Sequence, residues 1–110
     1  MRNWIVGCAA GALLAAGMMQ AQSKGKAGDA AKGKDVFEQC SVCHNSDSEE
    51  TKVGPGLKGL FKHAKLANGK PVNEANVREK IKDGGNGMPA YGDQLSEQEQ
   101  NDVIAYLKTL

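Results

Sequence analysis

Two cysteines set two residues apart and followed at once by a histidine, Cys40-Ser41-Val42-Cys43-His44, constrain this 110-residue chain more than any other feature. The C-x-x-C-H order reads as a covalent attachment site for c-type haem. Two thiols at this spacing can each bond one vinyl group of the same porphyrin. The adjacent His44 is then held under the iron and offers a ring nitrogen as axial ligand. A structural zinc module would need four ligands, and Cys43 with the adjacent His44 is poor geometry for one tetrahedral ion. A thioredoxin-like dithiol would need a βαβ context that the chain lacks.

The N-terminal segment reads as a targeting signal. Arg2 supplies a positive start, residues 4–19 form an uncharged apolar run, and polar residues begin at Gln20. The run is short for a membrane span and is diluted by Ala and Gly. A secretory signal peptide over residues 1–21, cut after Ala21, therefore fits better than a retained anchor. The expected location is the periplasm, with no stable membrane insertion after cleavage. Cys8, Met1, Met18 and Met19 leave with this leader. The mature chain then keeps two cysteines, His44, His63 and a single methionine, Met88. So short a domain buries little apolar surface and leans on a staple or cofactor, and the haem would complete its core.

Residues 22–28 form a polar linker without periodicity, and the domain is expected over 29–110. Asp29 can cap a helix running to about Cys40, with Val36, Phe37 and Cys40 on one face and Gly33 one turn before Phe37. A short helical turn is expected around 57–61, and Asn68-Gly69-Lys70-Pro71 is turn chemistry. Asn73 can cap another helix, with Val77 and Ile81 at i, i+4, stopped by Gly84 and Gly85. Ser96 and Glu99 form a capping box, and Val103, Tyr106, Leu107 and Leu110 follow as an amphipathic stripe. No run of strand period has useful length. The class is all-α, with long loops at 45–56 and 83–95.

A haem iron held by His44 has one open axial position, and a thioether favours ferrous iron there. Met88 is the sole mature thioether. It stands in a loop among Gly84, Gly85, Gly87 and Pro89, whereas a core methionine belongs on a helix stripe. It is the expected sixth ligand. His63, between lysines 62 and 65, is expected on the surface.

With these residues in view, the chain resembles a small monohaem class I cytochrome c of the bacterial periplasmic type. The likeness runs from about Ala31 to Leu110 through Gly33-x-x-Val36-Phe37, C-S-V-C-H, Gly54-Pro55-x-Leu57, Gly87-Met88-Pro89 and the terminal helix with Tyr106. The resemblance implies a cytochrome c fold of three to five short helices wrapped around one covalently bound haem c. It implies that the first and last helices cross where Gly33 and Phe37 meet Tyr106. It also implies that the Pro55 carbonyl accepts a hydrogen bond from the axial His44, which orients the ring and tunes its basicity. Two departures are visible. Only Glu38 and Gln39 separate Phe37 from Cys40, where many relatives have three residues. The mature chain also lacks the tryptophan that mitochondrial members place near a haem propionate, with Asn68, Lys70 and Tyr91 as the candidates to replace it.

Charge is near balance after leader removal but unevenly spread. Residues 52–82 carry eight basic and two acidic side chains, between acidic flanks. This pattern suits oriented docking on a redox partner rather than general polyanion binding, so nucleic acid is not an expected partner. By analogy with relatives, lysines 52, 58, 62, 65, 70, 80 and 82 rim the exposed haem edge. The expected function is one-electron transfer, without catalysis, by a monomer serving the redox proteins of a respiratory or similar chain. The competing reading is a haem c domain that binds a small ligand after Met88 moves away, for gas sensing or peroxide chemistry.

Overall fold

The computed structural model describes residues 27–110, so the expected leader and most of the linker lie outside the described residues. Three helices follow in order: α1 (Ala30–Phe37), α2 (Glu74–Asp83) and α3 (Glu97–Leu107). A single 3-10 turn (Leu60–Lys62) lies between α1 and α2. Among the described residues the only β-type pairings are two isolated bridges, Lys65 with Pro71 and Gly85 with Met88.

Each helix starts where side-chain chemistry supplies a cap. The Asp29 carboxylate accepts from the amides of Ala31 and Lys32 at 2.9 and 3.2 Å. The Asn73 side chain accepts from the Asn76 amide at 2.8 Å. Ser96 and Glu99 form the reciprocal box, with the Glu99 amide donating to Ser96 Oγ at 3.1 Å and the Ser96 amide to Glu99 Oε1 at 2.9 Å. Such contacts satisfy donors that the first helical turn cannot pair internally, each worth about 1 kcal/mol.

The ends differ more from expectation. α1 stops at Phe37 rather than at Cys40, because the next residues tighten into a separate turn. The expected turn at 57–61 is displaced to Leu60–Lys62, with Gly59 at φ 70° supplying the left-handed entry.

The core is small: Phe37, Val77, Val103, Ile104 and Leu107 form one buried cluster. Ile104, outside the expected α3 stripe, is the most buried of them at 1 % exposure. α3 packs against α1 on one side and α2 on another, so its buried face is wider than a single stripe.

Among the described residues the α1–α3 crossing is the closest approach of two helices. A Cβ on Gly33 would lie 1.9 Å from the Asp102 carbonyl oxygen and 2.8 Å from Tyr106 Cβ. One turn on, the Phe37 and Tyr106 rings meet at 5.3 Å between centroids. The expected helix crossing is therefore present, and the shorter Phe37–Cys40 spacing does not disturb it. Close packing against α3 begins before the helix itself: a Cβ on Gly28 would lie 2.0 Å from the Asn101 carbonyl oxygen. The buried Asp102 carboxylate then accepts from the Asp29 amide at 2.8 Å and from Gln98 Nε2 at 2.9 Å. A carboxylate at the start of α1 also complements the positive end of that helix.

Candidate functional site

The motif 40–44 is a single helical turn. The His44 amide donates to the Cys40 carbonyl at 2.9 Å, and the Cys43 amide to the same oxygen at 3.1 Å. Upstream, the Cys40 and Ser41 amides both bond the Phe37 carbonyl, at 2.7 and 2.9 Å. In such a turn positions i, i+3 and i+4 share a face, so both sulfurs and the imidazole leave the backbone on one side. That is the physical reason for two residues between the cysteines and none before the histidine. The turn also hangs from the last residue of α1, so the α1–α3 joint positions it. Cys40 and Cys43 are half-buried and are not joined to each other.

His44 is fixed by its own loop. Its Nδ1 lies 2.7 Å from the Pro55 carbonyl oxygen. A carbonyl can only accept, so Nδ1 carries the proton, which leaves Nε2 as the nitrogen able to ligate. The bond expected from the resemblance is thus present, and it selects the tautomer that can ligate through Nε2. Gly54 is required beside it: a Cβ there would stand 2.6 Å from His44 Cε1.

The loop that presents Pro55 has a hydrogen-bond scaffold of its own. The Gly54 amide donates to Cys43 O at 2.7 Å, the Lys52 amide to Gly54 O at 2.9 Å, and the Leu57 amide to Asn45 O at 2.8 Å. Lys52 Nζ reaches the Ser41 carbonyl at 2.8 Å, and Asn45 Nδ2 the Glu50 carbonyl at 3.1 Å. The carbonyl of Pro55 is therefore held over the imidazole by pairings on both sides of the loop.

Met88 is half-buried and stands on a separate segment. Gly85 and Met88 exchange both backbone bonds, at 2.9 and 3.1 Å. The two residues between them, Asn86 and Gly87, have φ 54° and 92°. Positive φ at both central positions is the signature of a type I′ turn, for which Asn-Gly is the preferred pair. The Asn86-Gly87 dipeptide is itself a sequence signal for this turn, beyond the loop that the glycines indicate. The turn is strapped to the end of α2, where the Tyr91 and Gly92 amides donate to the Ile81 and Lys82 carbonyls at 2.9 and 3.1 Å.

The remaining candidates fall as follows. His63 is exposed, as expected, with Nε2 3.5 Å from Glu49 Oε1. Asn68 accepts from the Lys70 amide in its own turn, and Lys70 Nζ pairs with Glu79, so both have local partners. Tyr91 is half-buried on the strap. Burial pushes the Cys40 thiol above its usual range, and Cys43 pushes it the same way. A nucleophilic dithiol shows the opposite shift. A polar cleft of about 1060 Å³ between α2, the 90–97 segment and α3 includes Lys82 in its lining but none of Cys40, Cys43, His44, Pro55 and Met88. Its lining of Arg78, Asp83, Asp93, Glu97 and Gln100 lacks the apolar walls of a small-molecule pocket.

Comparison with known proteins converges on one group. The family model described as Cytochrome c matches residues 30–110. Cytochrome c2 of Blastochloris viridis is 36% identical over 97 residues, covering 73% of this chain and 76% of that protein. Cytochrome c6 of Leptolyngbya boryana is 38% identical over 80 residues, covering 72% and 89% respectively. Among solved structures, cytochrome cH from Methylobacterium extorquens superposes with a TM-score of 0.62 at 27% identity, over 76% of this chain and all of that one.

Proposed function

This chain belongs to the cytochrome c family, and on that footing we propose that it shuttles single electrons in the periplasm through a haem c bonded to Cys40 and Cys43 and ligated by His44 and Met88. At the coarser level the chain is an electron-transfer cytochrome with one covalently attached haem c, and not an enzyme. The haem supplies an iron that accepts and releases one electron. Everything else is the work of the chain.

The observation that carries the reading is the His44–Pro55 bond at 2.7 Å, made from the same turn that bears both cysteines. Two half-buried thiols and an imidazole with a free Nε2 leave one face of that turn, which is the donor set a covalent haem requires. The Pro55 carbonyl stabilises the protonated Nδ1 and raises the electron density at Nε2. Gly54 admits the ring, since any Cβ would occupy its place. Met88 supports the same reading: its I′ turn fixes the backbone tightly, and a rigid loop keeps a thioether in place across a change of oxidation state. With His44 and Met88 each held by its own loop, little of the chain would have to move when the haem gains or loses an electron.

The proposed partners are redox proteins of a respiratory or similar chain, met in brief encounters through a small interface. No described helix is long and apolar enough to cross a membrane. The periplasmic assignment rests on the leader-like sequence of residues 1–21. The deciding experiment is expression with the leader in a host that matures c-type cytochromes, followed by purification and spectroscopy. A pyridine haemochrome spectrum of the thioether-linked type, one haem per chain and reversible one-electron reduction are expected. A haem-free, folded mature protein would overturn the proposal.

A further inference from the structure

We propose that Lys80 is a positioning residue for Met88, its ammonium fastening the root of the turn that carries the methionine. This rests on the reading of Met88 as an axial ligand. α2 ends at Asp83, and the chain then doubles back along its end. The carbonyls of Ile81 and Lys82 are taken by the Tyr91 and Gly92 amides. The next two carbonyls that matter, those of Gly84 and Gly85, are met by Lys80 Nζ at 3.3 and 3.1 Å. The Gly85 oxygen also accepts the Met88 amide at 3.1 Å. One oxygen is thus shared by the ammonium and by the backbone of the methionine itself.

The energetics favour a specific role. Bonds from a charged donor are stronger than neutral ones, and a cation in the last helical turn complements the negative end of the helix. The segment it holds is one that needs holding. Gly84, Gly85 and Gly87 all have positive φ, and glycine loses more conformational freedom on ordering than any other residue. Lys70 differs in kind, since its ammonium pairs with the Glu79 carboxylate rather than with main-chain carbonyls. Lys82, two residues on, is an exposed cation on the same helix and serves as a charge control.

The test uses the ferric holoprotein with imidazole as the incoming ligand, and amide hydrogen exchange at Met88 as a readout independent of ligation. In Lys80→Ala both the rate of imidazole binding and the exchange of the Met88 amide should rise about tenfold, as expected when a charged hydrogen bond is lost from a local opening equilibrium. Lys80→Arg should restore both towards wild type, and Lys82→Ala should leave both within about twofold, the scatter of an ordinary surface change. Wild-type behaviour of Lys80→Ala, or an equal effect of Lys82→Ala, would overturn the proposal. If the wild-type ferric protein lacks a sulfur-to-iron charge-transfer band, the ligation by Met88 fails instead. The Met88 exchange comparison then still decides whether Lys80 holds the turn.

Discussion

Gly33 of α1 rests directly on the Asp102 carbonyl of α3, so close that a Cβ would lie 1.9 Å from the oxygen. Neither partner is a flexible side-chain end, so relief requires moving a helix. Because the motif turn hangs from Phe37, one turn beyond Gly33, that movement would also shift Cys40 and His44. Gly33→Ala should destabilise the holoprotein by at least about 3 kcal/mol, at the upper end of overpacking costs. Gly69 provides the contrast: nothing lies within 4 Å of its virtual Cβ, and only its φ of 87° opposes a side chain. Gly69→Ala should cost about 1 kcal/mol. Denaturant midpoints of the two variants check the ranking.

The Gly54–Pro55 step separates side-chain from main-chain roles. Pro55→Ala keeps the carbonyl that accepts from His44, so ligation and reduction potential should change little. Gly54→Ala places a methyl 2.6 Å from His44 Cε1 and should push the ring away from that carbonyl. Its holoprotein yield should fall severalfold, with a weakened low-spin spectrum. Equal behaviour of the two variants would assign the importance of this step to the proline ring instead.

Helix starts and the attachment turn were readable because their chemistry is local. Ser96 with Glu99, Asn73 with Asn76 and Asp29 with Ala31 satisfy donors within three residues, and sequence spacing reports such contacts directly. The C-x-x-C-H turn is local in the same sense. What escaped reading depends on distant partners. The end of α1 at Phe37 reflects a competing turn, and no helix breaker marks it. Ile104 is buried because α1 and α2 flank α3 on two sides, which no single-helix periodicity can show. Gly28 and Gly54 are glycines because of Asn101 and His44, one of them 73 residues away. Asp102 reads as a surface carboxylate until the amide of Asp29 is found against it.

A pH dependence follows from Glu74, which ties the start of α2 to the end of α3. The hydrogen bond from Lys108 Nζ to its Oε1 at 2.6 Å, then the charge of Lys108, hold its carboxyl below the usual range, with Arg78 adding to the effect. A lowered native pKa means that the stabilisation is complete above the unfolded value, about 4.3. It is lost as pH falls through the native value. The side chain is 53% exposed, so solvent screening limits the contribution to under about 1 kcal/mol. Glu74→Gln should therefore lower the urea midpoint slightly at pH 7 and not at all once the pH lies below the native pKa. A difference that persists unchanged into acid would place the effect in packing.

Docking should reveal itself through salt. Of the lysines in the basic segment, Lys52, Lys70 and Lys80 are engaged by Ser41, Glu79 and the Gly84–Gly85 carbonyls. Lys58 and Lys62 are exposed around the 3-10 turn, where they remain available to a partner. Attraction between exposed charges is screened beyond about 8 Å at physiological ionic strength. The second-order rate of electron transfer to an acidic partner should fall severalfold as salt rises from low to physiological levels. The double change Lys58→Glu and Lys62→Glu should slow the reaction at low salt and flatten the dependence. A flat profile for the unaltered protein would move the docking face elsewhere.

Met88 and His63 give opposite expectations from the same measurements. A sulfur ligand stabilises ferrous over ferric iron, so the ferric protein should show a weak sulfur-to-iron band in the far red. Met88→Ala should abolish that band and open the iron to carbon monoxide or cyanide. It should also lower the potential by at least about 120 mV, a hundredfold change in a one-electron equilibrium. His63 is exposed, and its ring is engaged only by Glu49 at 3.5 Å among the described residues. His63→Ala should leave the band, the potential and the ligand reactivity as they are. The reverse pattern, a Met88 variant with an unchanged spectrum and a His63 variant without low-spin character, would mean that two imidazoles hold the iron. Electron transfer would survive that outcome, but at a lower potential and through a different loop.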